Sequence, residues 1–345
     1  VVTARDVAEL AQVSPMTVSR VINGEKNVRA STREAVLKAV RELRYAPNPA
    51  ARSLASAEHV RIGLPYTNPS AAYLSEFLVG MLDALSRAGA QLVLGRCQAG
   101  DAAAEREAIR QMLDSGVSGV LLTSPLCDSA AVGQDIIAAG TPIVTVGSDR
   151  FKGEFSCVRI DEHKAAYDMT RKIVALGHRN IGFISGHPAQ SASAARQTGF
   201  ETAMRELAPE AKYAMAQGFF TFQSGLAAAE RLLGANPRPS AIFASNDDMA
   251  AAVISAAHRR GLDVPRDITV VGFDDTAIAT TLSPELSTVR QPIAEMAAAG
   301  VELLIKQLRA RRDNEADEPV DLVMPHTLIE RQSSAEFRQA PRRKG

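Results

Sequence analysis

From Val60 onward the chain alternates short β-branched runs with longer amphipathic stretches, and this alternation restricts its fold more than any other feature. The runs Val60 to Leu64, Gln91 to Leu94, Gly119 to Thr123 and Ile143 to Val146 have the length and composition of strands. The series resumes with Asn180 to Ile184, Ala241 to Ala244 and Ile268 to Phe273. Between them, segments such as Leu74 to Ala88 and Asp247 to Arg260 repeat apolar residues at helical spacing. Strands that alternate with crossover helices pair in parallel and carry helices on both faces. The units are too many for one modest open sheet, and the pattern restarts after Val158 to Ile160. The expected body is α/β, with two doubly wound parallel-sheet subdomains facing each other across a cleft.

The first 47 residues follow a different, all-α logic. Thr3 with Asp6 makes a capping-box start for a first helix, expected to bury Val7, Leu10 and Ala11. A turn through Gln12 and Val13 leads to Ser14 as N-cap, and Pro15 takes the first helical position, where its missing N–H costs nothing. Asn23-Gly24 stops this second helix, and Ser31 with Glu34 forms a box opening a third, which repeats Val36, Val40 and Leu43. Three such helices bury one small core, and the arrangement reads as a helix-turn-helix head. In the second helix Val18, Val21 and Ile22 fall on the inner face, leaving Met16, Thr17, Ser19, Arg20 and Asn23 outside. Small hydroxyls, an amide and an arginine on an exposed helix suit phosphates and base edges.

Charge supports this reading only locally. The 345 residues carry no formal net charge, so the molecule is no polybasic nucleic-acid binder. Residues 1 to 57, however, hold nine basic against five acidic side chains. The following stretch, Asn48 to Ser56, is small and mostly uncharged, with Leu54 as its single large apolar residue. It reads either as a flexible linker or as a hinge helix formed on DNA, with Leu54 wedged into the minor groove.

Several classes are set aside. Cys97, Cys127 and Cys157 are odd in number and widely spaced, which suits reduced thiols and neither a zinc site nor a disulfide framework. No apolar run has membrane-spanning length and no export signal precedes the head, so the expectation is a cytoplasmic, nucleoid-associated protein without membrane contact. H-E-x-x-H, G-x-S-x-G and G-x-x-x-x-G-K are all lacking, and neither catalysis, a metal nor a cofactor is expected.

The residues carry a resemblance over essentially the whole chain. DVAELAQVSPMTVSRVING, NVRASTRE and LRYAPNPAARSLA in the head are similar to the LacI family of bacterial transcription regulators. LGHRNIGFISG, SNDDMA, DITVVGFDD and STVRQP continue the likeness through the body in the family's order. The resemblance implies a homodimeric repressor of pseudo-palindromic double-stranded DNA, with a body of periplasmic-binding-protein type. It also implies three crossings between subdomains, expected near Asp161, near Gln291 and between Val320 and Pro325. The resulting domains are a head at 1–47, a hinge at 48–58 and a tail at 339–345. The body divides into 59–160 with 292–322, and 161–291 with 323–338.

By position in the family motif, Pro15, Met16 and Arg20 fall where bases are read, and Ser14, Thr17 and Asn23 fall near phosphates. Thr3, Ser19, Asn27, Arg29, Thr32, Tyr45 and Ala51 complete the head's DNA set, while Asn48, Arg52 and Leu54 match the hinge. Arg20 can grip guanine O6 and N7 with two bonds; Met16 offers apolar contact alone. Pro15-Met16 departs from members with polar or aromatic residues there, so their operators do not transfer.

In the body, Arg196, Asn246 and Asp274 fall where relatives bind effector hydroxyls, and Phe220, after a strand, falls where they stack an aromatic on a sugar. Tyr66, Asn68 and Tyr73 follow the first strand and are expected to line the cleft. Asp149 stands near, but not at, the family's usual aspartate, and Gln291 either touches ligand or belongs to the hinge. Asp247 and His178 read as structural, and one acid of each Asp pair could cap a helix. The expected effector is a mono- or oligosaccharide that controls carbohydrate-utilisation genes. A purine or nucleoside, or a solute-binding protein that does not act on DNA, are the alternatives. The end of the chain shows no leucine heptads, so dimers rather than tetramers are expected.

Overall fold

The computed structural model describes residues 3–22, 28–43, 60–67, 70–97, 100–148, 150 and 152–337. They belong to two compact units, residues 1–59 and 60–345.

In the first unit, α1 (Ala4–Leu10), α2 (Pro15–Ile22) and α3 (Ala30–Glu42) close on Val7, Ala8, Val18, Val21, Val36 and Ala39. Asp6 accepts the Thr3 N–H at 2.7 Å and its hydroxyl at 2.9 Å, and Ser14 Oγ accepts the Thr17 N–H at 3.1 Å. Side chains thus satisfy amides that a helix start leaves orphaned. Two local expectations are corrected. Leu10 is 46% exposed, because the inner stripe of α1 runs through Val7, Ala8 and Ala11, and Leu10 lies at its edge, on the flank of Val7 away from Ala8 and Ala11. The third helix begins at Ala30 with Arg29 as cap and no side-chain capping bond, so Ser31 and Glu34 lie inside it. Its first amides lie at an exposed end, where water can serve them, and Ala30 is the best helix former available.

The second unit follows the expected alternation. Its first run is β1 (Arg61–Tyr66), α4 (Ala71–Ala88), β2 (Gln91–Arg96), α5 (Ala102–Asp114), β3 (Gly119–Thr123), α6 (Ala130–Ala138), β4 (Ile143–Val146) and β5 (Ser156–Ile160). The second is α7 (Glu162–Ala175), β6 (Asn180–Ser185), α8 (Ser191–Leu207), β7 (Lys212–Gln217), α9 (Phe222–Leu233), β8 (Ala241–Ala244), α10 (Asp247–Arg259), β9 (Thr269–Asp274), α11 (Ile278–Thr281) and β10 (Ser287–Arg290). The last elements among the described residues are α12 (Ile293–Arg312), β11 (Asp321–Met324) and β12 (Thr327–Ile329).

Two six-stranded sheets result, ordered β11-β5-β4-β3-β1-β2 and β12-β10-β9-β8-β6-β7. All pairings are parallel except β12 against β10. A parallel entry needs a long crossover, whereas Pro325-His326 carries the chain directly from one sheet to the other. The strands change sheet after β5, after β10 and between β11 and β12, while α12 returns to cover β3, β4 and β5. It also lies against α4 at Gly80, where a Cβ would come within 2.0 Å of the Ala294 carbonyl oxygen. One apolar cluster, from Ile62 and Phe77 through Phe183 and Phe243 to Val289 and Leu304, joins residues of both sheets.

Candidate functional site

The parallel topology gathers the carboxyl ends of the strands, and the loops after them enclose a cavity between the two sheets. Ser70 and Tyr73 follow β1, Ser124 follows β3, Gly147 follows β4 and Glu162 follows β5. From the other side come Gln190, Ala192 and Arg196 after β6, Phe220 after β7, Asn246 after β8, Asp274 at the end of β9 and Gln291 after β10. The space measures about 460 Å³ with the open solvent at its mouth included.

At its centre the buried Arg196 guanidinium grips Glu162 with two bonds, 2.7 Å from Nε and 3.1 Å from Nη2. Nη1 donates to the Ser245 carbonyl at 2.6 Å and lies 3.6 Å from Asp274 Oδ1. The guanidinium also rests on the Phe273 ring, 3.6 Å from its centroid. Burial would favour the neutral form of this arginine, but Glu162 and Asp274 outweigh it and hold the charge. Asp274 accepts from Gln291 Nε2 at 2.7 Å, and burial pushes its carboxyl well above the usual range against the opposing pull of Arg196. The Tyr73 hydroxyl is pushed up by burial and then by the charges of Asp274 and Glu162, so it stays a donor.

Asn246 caps α10, accepting the Met249 N–H at 3.0 Å, and its amide donates to the Phe220 carbonyl at 3.0 Å. That second bond fixes Phe220 at φ 60°, a left-handed conformation unusual for a bulky residue and worth about 1–3 kcal/mol of strain. The Phe220 ring lies over Gly186, where any Cβ would fall within 1.9 Å of it. Most of the polar set is thus pre-positioned by its neighbours, and its remaining lone pairs and N–H groups match the alternating donors and acceptors of a polyol.

The structure brings together Tyr73, Arg196, Phe220, Asn246, Asp274 and Gln291. It does not bring Tyr66 to them: this residue continues the Ile62-Leu64 face of β1, packs on the same core and borders a separate surface depression with Thr67 and Arg96. Asn68 and Asp149 lie outside the described residues. Glu162, Gln190, Ser70 and Ser124 were not singled out from the sequence. Glu162 carried a usable signal, since it directly follows a strand's carboxyl end and the capping Asp161. Asp247 is buried away from the cavity, accepting from Thr288 Oγ1 at 2.7 Å and from the Thr276 N–H at 2.8 Å. Asp275 caps no helix and instead meets Arg290 and Arg331, each at 2.6 Å. His178 is held between Ser240 and the Ala335 carbonyl.

On the head, Ser14, Pro15, Met16, Ser19 and Arg20 are exposed along α2, as are Thr3 and Arg29. Thr32 is half-buried, and so is Thr17, whose hydroxyl lies 2.9 Å from Ser14 Oγ. The candidates Asn23, Asn27, Tyr45, Asn48, Ala51, Arg52 and Leu54 fall outside the described residues.

A helix-turn-helix head with a two-sheet body enclosing a polar, aromatic-floored cavity defines a ligand-responsive regulator. Residues 3–48 match the profile of bacterial regulatory proteins of the lacI family, and residues 170–334 match a periplasmic binding protein-like domain. The catabolite control protein A of Priestia megaterium is 32% identical over 335 residues, covering 96% of this chain and 99% of that protein. The solved complex of the transcriptional regulator CelR with cellobiose is 31% identical with TM-score 0.72, covering 96% of this chain and 100% of that one. The lac repressor dimer bound to operator and an anti-inducer is 28% identical with TM-score 0.70, over 97% and 99% of the two chains. This chain belongs to the lacI family of bacterial regulatory proteins. The expected fold class, a helix-turn-helix head with two parallel-sheet α/β subdomains, is borne out.

Proposed function

We propose that this chain is a homodimeric transcriptional repressor that binds a pseudo-palindromic operator and releases or grips it according to a sugar held between its subdomains. The observation that carries the reading is the convergence of Arg196, Glu162, Asp274, Asn246 and Gln291 around a cavity floored by Phe220. Carboxylates take pairs of sugar hydroxyls, the amides give and accept, and the ring meets the apolar face of a pyranose. The sugar favours one closure state of the two subdomains, and that state fits or misfits the geometry the paired hinges need on DNA. The sheet of β1 to β5 with β11 and the sheet of β6 to β10 with β12 are the parts that move, so that the boundary expected at 322/323 falls instead after Met324.

On the head, Arg20 reads bases while Met16 supplies apolar contact. Val79 and Leu82 on α4 and Leu94 on β2 are about half exposed, and their side chains suit a dimer interface along the body. The protein acts in the cytoplasm, on the nucleoid.

A gel-shift titration against the inverted repeat nearest its own gene tests the DNA half. Sequence-selective retention that Arg20→Ala relaxes is expected; equal affinity for scrambled DNA overturns it. A thermal-shift screen against sugars and purine nucleosides tests the effector half, because a ligand selective for the folded state raises the melting temperature. A shift with nucleosides alone would replace the sugar with a purine ligand.

A further inference from the structure

A second chamber adjoins the cavity at Gln190, and we infer that this chamber binds a second sugar ring, so that the effector is a disaccharide or longer oligosaccharide. The inference rests on the sugar reading given above. The outer chamber spans about 990 Å³ with its mouth and shares Gln190 with the inner one. Thr67, Pro125 and Asp128 form one wall, while His187, Gln190 and Phe219 form the other, so both subdomains contribute.

Consecutive aromatics divide the two spaces: Phe220 lines the inner chamber and Phe219 the outer. Phe219 is 43% exposed, yet its position is fixed. Its N–H donates to Ser224 Oγ at 2.9 Å, and its ring meets the His187 ring edge-on, with centroids 5.6 Å apart. Gly218 before it leaves no room for a side chain, since a Cβ would lie 2.8 Å from the Ser185 carbonyl oxygen as well as against Met249 Sδ. The left-handed Phe220 after it turns the pair, and the Asn246 bond holds that turn. A strained corner that keeps an exposed ring at the mouth of a polar cavity is an aromatic platform.

The chemistry of the walls selects the ligand class. A pyranose offers an apolar face of C–H groups, which complements the negative face of a phenyl ring. His187 Nδ1 accepts the Ala189 N–H at 3.1 Å, which in the neutral ring makes Nε2 a donor for a hydroxyl. Gln190, common to both chambers, can bridge the two rings.

The test is calorimetric titration of the full chain with glucose, galactose, cellobiose, maltose and lactose. At least one disaccharide is expected to bind tenfold or more tightly than its component monosaccharide. Phe219→Ala should collapse that ratio toward one, Phe219→Trp should keep it, and Phe220→Ala should weaken every sugar bound. An unchanged melting temperature of ligand-free Phe219→Ala establishes that the fold is intact. Equal affinity for the monosaccharide and the disaccharide, or a ratio that survives Phe219→Ala, overturns the second subsite while leaving a sugar effector standing. Binding of no sugar at all overturns both.

Discussion

Removing the Arg196 guanidinium would leave the Glu162 carboxylate without its cation in a site largely closed to water. The side chains of Arg196 and Glu162 are 5% and 10% exposed, so little solvent can replace the lost bonds. Breaking one partner of such a pair costs about 3–5 kcal/mol, more than the pair itself contributes. Arg196→Met should therefore lower unfolding free energy by that amount in denaturant titration; a loss within experimental error would show that the site is wet. Asp247 makes a second residue-level prediction. Burial pushes its carboxyl up to about 7, against hydrogen bonds from Thr288 and Thr276 that favour the anion. Because the folded value lies above the unfolded one, its stabilising contribution is full below the unfolded value near 3.8 and is lost as pH rises to about 7. Asp247→Asn should flatten this part of the stability–pH curve, and wild-type and variant curves of the same slope between pH 4 and 7 would refute it. The hydroxyl-binding types at 196, 246 and 274 could be read from the sequence. Glu162 carried only a positional signal just after a strand end, because its pairing depends on the approach of Arg196 on α8, 34 residues later.

At the scale of elements, close helix packing decides what Gly80 can become. Alanine is a better helix former by about 1 kcal/mol. Here, however, its Cβ would sit 2.0 Å from the Ala294 carbonyl oxygen and 2.6 Å from the Ala294 Cα. Backbone cannot rotate aside as a side chain does, so α4 and α12 must part, at about 1–3 kcal/mol or more. Gly80→Ala is expected to lower the melting temperature; a rise would mean that propensity wins and the helices slide freely. Elements with strong periodicity were legible: β3, β4 and β8 match their sequence-derived bounds, and α10 differs by one residue. What the sequence concealed were the short strands β11 and β12, of four and three residues, whose apolar runs, Leu322 to Met324 and Leu328-Ile329, are too short to stand out. Their pairing comes from long-range partners, β5 and β10. Tyr66 failed as a cleft residue for an equally local reason, since strand alternation aligns it with Ile62 and Leu64.

For the whole molecule, the response to a ligand depends on how the two subdomains hold each other when the cavity is empty. A polar latch joins them beside the cleft. Asp128, after β3, accepts the Ser148 hydroxyl at 2.6 Å and, across the cleft, the Ser191 backbone N–H at 3.2 Å. Ser148 Oγ also lies 3.1 Å from Ser191 Oγ. Ser191 is the first residue of α8, so the carboxylate meets the positive end of that helix as well as a single amide. Hydrogen bonds to a charged group contribute about 1.5–3 kcal/mol, and here that energy favours closure without a ligand. Asp128→Ala removes it, and both serines can turn to water once the halves separate. The closed fraction should fall, and with it the apparent affinity of a ligand that binds the closed form, by about tenfold for each 1.4 kcal/mol. Affinity alone would not isolate the latch, because Asp128 also borders the outer chamber. The deciding measurement is small-angle scattering of the ligand-free protein: the radius of gyration should increase in Asp128→Ala and return toward the wild-type value when saturating ligand is added. An unchanged ligand-free radius would show that the remaining apolar contacts, rather than this carboxylate, set the resting angle.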